Sequence, residues 1–224
     1  NMNDSELIKL WQTTNDKLEE SIVINRENIE EITRVKVYSI LGSMKPIKIF
    51  TLIFGILWVV IGTIVLSSIY LYSFSESNKF FLFSASIQVG LTTIALFVYL
   101  YQIITIFQVD ISDSVIKTQE KLSKLKISTL WVTRILFLQL PVWTTFWWNE
   151  TMLLDWGILQ WVFTMFFTIS FTVIVIWLFF NIKYENRNKK WFQLIFRGKE
   201  WTPLMNSIEL LDQVEFYKDQ NAST

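Results

Sequence analysis

Four long apolar runs divide the chain, and nearly all of its charge lies between or beyond them. The first run is Ile49 to Tyr72 and the second Phe80 to Phe107, both uncharged. The third, Ile127 to Trp148, is interrupted by Arg134 and Pro141, and the fourth, Gly157 to Ile182, is again uncharged. A helix needs about 20 apolar residues to cross a hydrocarbon core. The pattern therefore predicts an all-α fold: a four-helix transmembrane bundle with cytoplasmic amphipathic helices. Its units are N-terminal helices over 1–46, a membrane domain over 47–182 and a juxtamembrane segment with a C-terminal helix over 183–224.

Outside the runs the apolar residues recur at helical spacing. Near the start they are Leu7, Leu10, Trp11 and Leu18, then Ile29, Ile32 and Tyr38 or Ile40. Asn3 with Glu6 suits a capping box. A break is expected near Val23–Asn25, and Pro46 is expected to separate this region from the first span. The central loop predicts a helix over 110–126 with the stripe Ile111, Val115, Thr118, Leu122 and Leu125, running straight into span three. Span four is expected to continue to Arg197 and stop at Gly198. Thr202 and Pro203 then suit the start of a last helix, with the stripe Leu204, Ile208, Leu211 and Val214.

Charge adds orientation. Lys and Arg number seven in residues 1–48: Lys9, Lys17, Arg26, Arg34, Lys36, Lys45 and Lys48. The next loop has Lys79 alone, and the central loop has Lys117, Lys121, Lys124 and Lys126. The third loop has none, and the tail has Lys183, Arg187, Lys189, Lys190, Arg197, Lys199 and Lys218. By the positive-inside rule both termini and the central loop are cytoplasmic. Tyr70, Tyr72, Trp143, Trp147, Trp148 and Trp156 suit the outer interface, and Trp131, Tyr184 and Trp191 the inner one. No apolar stretch precedes residue 47, so a cleavable signal peptide is not expected.

Composition narrows the chemistry. Cys and His are absent, and 20 basic residues balance 20 acidic ones. Thiolate chemistry, imidazole catalysis and the commonest metal sites are excluded. The charge balance gives no reason to expect nucleic-acid binding. With six Gly in all, a glycine-rich phosphate loop has little to be built from. The carboxylate pairs Glu19–Glu20 and Glu30–Glu31 sit among Lys and Arg as a solvated helix face. No cofactor, metal or catalytic residue is expected, and the protein is not expected to be an enzyme.

Arg134 is the single charge within a predicted span, which makes it a candidate for a ligand or lipid phosphate. The bland reading is that it snorkels or meets a backbone carbonyl. Span two carries Gln88 and Thr92 on a polar stripe, and span four carries Gln160, Thr164 and Thr168. These residues suit a polar pathway or, more simply, hydrogen bonding between helices. Gly55 and Gly62, and Ser86 with Gly90, suit close helix approach. Lys183, Arg187, Lys189, Lys190, Trp191 and Arg197 form a basic and aromatic group suited to anionic headgroups.

The chain also resembles an uncharacterised family of small four-span inner-membrane proteins of Bacteroidetes-type bacteria. The resemblance is carried by Glu6-Leu7-Ile8-Lys9-Leu10-Trp11 with Leu18-Glu19 and Asn25, by Val109 to Ser112 with Gln119 to Lys126, and by Ser207 to Phe216. It implies a bacterial inner-membrane location and a link to signalling, and it carries over no site residue. Two readings of function follow. One is a non-enzymatic scaffold or signalling and regulatory protein that engages a cytoplasmic protein through its helices. The other is a small transport or lipid-handling protein using Arg134 and the polar stripes. The partners implied are the lipid bilayer with anionic lipid, a cytoplasmic protein and a second copy in a homo-oligomer.

Overall fold

The computed structural model describes the backbone of residues 4–110, 112–155, 157–198 and 201–222, and their side chains except at 4–10, 19, 20, 22, 26, 153, 154 and 212–222. The described residues are helical, with short turns and no strand. The helices are α1 (Asp4–Tyr72), α2 (Lys79–Phe107), α3 (Val115–Phe137), α4 (Gln139–Thr145), α5 (Glu150–Asp155), α6 (Ile158–Asn181), α7 (Lys190–Phe196) and α8 (Trp201–Ala222). Four stretches are long and apolar enough to cross a membrane, lying in α1, in α2, across α3 and α4, and in α6.

The first correction is α1. It is one helix of 69 residues with Pro46 inside it, about 100 Å long. The expected breaks at Val23–Asn25 and at Pro46 do not occur. Proline within a helix costs about 3 kcal/mol. Here Leu41 and Met44 before it are buried, each worth about 1.5–3 kcal/mol, and Lys48 after it lies on the same face. Packing on both sides of Pro46 thus outweighs the lost backbone bond. The buried stripe is also phased differently from the expectation. Thr33, Val37, Leu41, Met44 and Lys48 are buried, while Ile29, Ile32 and Tyr38 are exposed and Ile40 is half-buried; Leu7 and Leu10 lie outside the described side chains. The Asn3–Glu6 capping box lies outside the described residues.

The other boundaries have local causes. Asn78 starts α2 by accepting from the backbone N–H of Phe80 at 2.9 Å, and its Nδ2 donates to the Trp148 carbonyl. Ser114 caps α3, which begins at Val115 rather than at 110 and runs unbroken into the third apolar stretch as expected. That helix ends at Phe137 because its carbonyl is the one an N–H at position 141 would have met, and Pro141 has none. Pro141 sits instead in the first turn of α4, where no N–H is required. Span four stops at Asn181 and does not run on to Arg197. A 3-10 turn over Tyr184–Asn186 follows it. The last helix already includes Trp201, so Thr202 lies within it rather than capping it, and Pro203 is in its first turn rather than at its first position.

Packing runs from α1 to α2, from α2 to α3 and α4, and from α4 and α3 to α6. α8 returns along α1 and α3. One apolar core joins Val37, Leu41 and Met44 of α1 to Leu122 and Leu125 of α3, to Ile182, Phe192 and Phe196, and to Leu204, Ile208 and Leu211 of α8. The three amphipathic segments therefore gather at one end of the apolar region. At the other end Leu66, Leu82 and Ala85 form a second small cluster.

The α1–α2 contact depends on glycine. A Cβ at Gly55 would lie 2.4 Å from Leu96 Cδ2, and one at Gly62 would lie 3.0 Å from Val89 Cγ2. Ser86 also bonds Tyr70 across this seam, at 3.1 Å. Gly90 faces open space. Gly55→Val is expected to lower stability by about 1–3 kcal/mol through overpacking. Gly55→Ala should be milder, because the end of Leu96 can move. Unfolding titrations in mixed detergent micelles check the ranking.

Candidate functional site

The feature that stands out is a buried cation. Lys48 is 1 % exposed, and Gln102 is fully buried beside it. Lys48 Nζ donates to Gln102 Oε1 at 2.7 Å and lies 4.7 Å from the centre of the Tyr99 ring. Gln102 Nε2 in turn faces Thr129 Oγ1 at 3.5 Å. One polar chain thus links α1, α2 and α3. An amide oxygen and an aromatic face are what a desolvated ammonium requires. Sequence reasoning missed this site by counting Lys48 as a flanking loop charge behind Pro46. The available signal was its spacing with Val37, Leu41 and Met44, in steps of four, three and four. Among the described residues, Lys48 is thus enclosed by packed helices as well as Arg134.

Arg134 takes the bland course. Its Nε donates to the Ile182 carbonyl at 3.0 Å, and Nη2 donates to the same oxygen. Its guanidinium lies 5.1 Å from the Trp131 ring centre and 5.9 Å from that of Phe179. Ile182 closes α6, whose final carbonyls have no partner within the helix. A cation there also suits the helix dipole. Arg134 therefore fixes the end of α6 against α3.

Several members of the polar stripes bond neighbouring backbone and side chains. Gln88 is buried, and its carbonyl accepts from Thr92 Oγ1 at 2.8 Å. Thr92 Oγ1 accepts from Gln139 Nε2 at 2.9 Å, tying α2 to α4. Ser84 and Thr145 make a parallel tie at 3.0 Å. Gln160 is exposed at the start of α6 and accepts from the Gly157 N–H at 3.3 Å. Thr164 is half-buried. Thr168 Oγ1 is buried with no hydrogen-bond partner among the described residues. Gln160 and the Arg134 contact sit at opposite ends of α6, about 33 Å apart. The stripes and Arg134 do not converge on one site.

The basic group after span four spreads over a surface. Lys183, Arg187, Lys189, Lys190 and Arg197 are exposed, and Trp191 is half-buried against Trp177 with ring centres 4.9 Å apart. Arg187 and Lys126 lie over the Tyr184 ring at 4.5 Å and 4.1 Å. A cleft of about 460 Å³ between α7 and α8 is bordered by Arg187, Lys190 and Arg197.

A further ionic device closes the turn between α2 and α3. Asp110 accepts from the Ser112 N–H at 2.9 Å and from its hydroxyl at 3.0 Å. Those bonds hold its carboxyl below the usual range. Asp113 is lowered chiefly by its bond from Lys121, then by the Asp110 N–H. Lys121 also donates to the Gln108 carbonyl, so it staples the turn. Both carboxyls are depressed, so the stabilisation they give is present above the ordinary aspartate value of about 3.9. It is lost as pH falls through their lower folded values. Asp113→Asn is expected to melt earlier than the parent protein at neutral pH, with the difference shrinking below about pH 4. Thermal melts in detergent across that range check this.

The described residues contain no group of three or more Asp and Glu arranged to hold a metal ion. The fold defines a class: an all-helical protein with four helices long and apolar enough to cross a membrane. No family model, curated protein or solved structure matches the chain.

Proposed function

We propose that this chain is a non-enzymatic membrane scaffold or regulator with both ends and its central loop in the cytoplasm. It engages a protein partner through its cytoplasmic helices. One observation carries the reading. The segments containing Val37–Met44, Val115–Leu125 and Trp201–Leu211 share one buried core. A membrane anchor alone has no need of such a platform. From it the first part of α1 projects, with Trp11, Leu18, Ile29 and Ile32 exposed. The alternation of basic residues supports the orientation. The family resemblance supports a bacterial inner membrane. The basic surface around Arg187, Lys190 and Arg197 suits anionic headgroups.

Affinity capture from native membranes, with the full chain and with residues 2–32 removed, tests the proposal. A partner recovered by the full chain and lost on truncation is expected. Identical recoveries would remove the basis for it.

The transport or lipid-handling reading retains one observation, the Lys48–Gln102–Thr129 chain between three helices. Arg134 supports it less, because two of its donors already meet the Ile182 carbonyl. Under the scaffold reading Arg134→Leu destabilises the α3–α6 contact by about 1.5–3 kcal/mol without changing bound lipid. Native mass spectrometry showing loss of a specific lipid would favour the second reading.

A further inference from the structure

The exposed part of α1 carries a second periodicity that the fold does not use. Ile8, Trp11, Leu18, Ile22, Ile29 and Ile32 fall at alternating heptad a and d positions, with Asn15 and Asn25 completing the series. The steps are three, four, three, four, three, four and three. This is the spacing of a coiled-coil seam, with Ile8, Asn15, Ile22 and Ile29 at a positions and Trp11, Leu18, Asn25 and Ile32 at d positions. A polar Asn at one a position, here Asn15, is the device that sets register and limits the assembly to two strands.

The charges agree. Asp16, Lys17, Glu27, Glu31 and Arg34 fall at b, c and f positions, away from the seam. The flanking e positions hold Glu19 and Arg26, which in a parallel pair face Thr14 and Ser21 at g. No like charges meet across a parallel self-pairing.

The described apolar side chains of this spacing are exposed. Trp11 is 72 % exposed, Leu18 57 % and Ile32 66 %. The face of α1 that packs within the chain, through Thr33, Val37, Leu41 and Met44, lies about 90° around the helix from the seam. Pairing therefore does not compete with α8. Bilayer contact is disfavoured for the arm, because α1 is continuous and Ile32 lies about 25 Å before the first span begins at Ile49. Within the span, the seam side of α1 continues through Phe50, Phe54, Trp58 and Ile61, each more than half exposed.

We infer that residues 8–32 of α1 form a parallel two-stranded coiled coil with the same segment of a second copy of this chain. The inference rests on the scaffold reading for the arm's place outside the membrane, and it names the arm's occupant. Both copies sit in one membrane with one orientation, so their arms point the same way and a parallel pair is the one available.

The chain has no Cys, which makes the test direct. Full-length Ile29→Cys and Leu18→Cys, oxidised in native membranes, are expected to give disulfide-linked dimers. Glu27→Cys and Glu20→Cys, on the outer face, are expected to stay monomeric. Leu18→Glu with Ile29→Glu is expected to halve the mass of the purified protein from two chains to one, with helicity retained. Failure of both seam cysteines to link, equal linking at the outer positions, or a dimer that survives the double Glu variant would each overturn the inference. A different protein lost on arm truncation, without seam cross-linking, would overturn the self-pairing and leave the scaffold reading standing.

Discussion

Phe192→Ala is expected to cost about 3–5 kcal/mol, the scale for emptying a filled aromatic site. Phe192 is fully buried on the short helix α7. Its ring stacks on Phe196 at 4.3 Å and meets Trp201 edge-on at 5.6 Å. These rings connect span four to α8, and α8 in turn covers α1 and α3. The loss should therefore be local in character although large. Residues 190–211 should exchange amide hydrogens faster, while α2 and α6 keep their protection. Leu194→Ala is the control, because Leu194 on the same helix is 79 % exposed and should change stability by no more than about 0.5 kcal/mol. Equal effects of the two variants would mean that α7 does not anchor the C-terminal helix.

Gln102→Leu is expected to be the second large effect, about 2–3 kcal/mol, the range for a buried hydrogen bond to a charged group. The variant withdraws an acceptor from an ammonium that is 1 % exposed. Lys48→Met should also destabilise, by about 1–3 kcal/mol, because it leaves the Gln102 oxygen buried without that donor. The double variant separates the pair from its burial cost. Replacing both partners by apolar groups of similar shape is often close to neutral. The double variant should therefore recover more than half of the summed single losses, as unfolding titrations would record. Strict additivity would mean that the two side chains are not coupled.

Much of this fold was legible in the residues. Four uncharged or nearly uncharged runs dictate helices, because backbone polar groups within a membrane must be satisfied inside the segment. Of the stripe Ile111, Val115, Thr118, Leu122 and Leu125, Ile111 lies outside the described residues and the other four are buried. Of the stripe Leu204, Ile208, Leu211 and Val214, the first three are buried and Val214 lies outside the described side chains. Both segments pack on a single apolar surface, which leaves one phase for the pattern. The start of α1 was misread for the opposite reason. Apolar residues occur on two of its faces, and among the described residues the face through Val37, Leu41 and Met44 is the one in the shared core.

The candidate site was less legible. Arg134 was recognised as unusual, but its target is a backbone carbonyl 48 positions away, and a carbonyl leaves no mark on a sequence. Thr92 and Gln139 are ordinary polar residues until α2 and α4 lie side by side. Lys48 was hidden by Pro46, because the helix-breaking tendency of proline is local while the burial of Met44 and Lys48 is tertiary.

The division follows from what each level of structure contains. The sequence by itself determined the helical class, the number of apolar stretches and the absence of Cys and His. These depend on spacing along one chain and on side-chain identity. Only the tertiary structure decided that α1 is continuous through Pro46, that Lys48 is enclosed, and that Arg134 closes α6. Each of those outcomes is set by partners distant in sequence, whose burial or hydrogen bonding outweighs a local preference of a few kcal/mol.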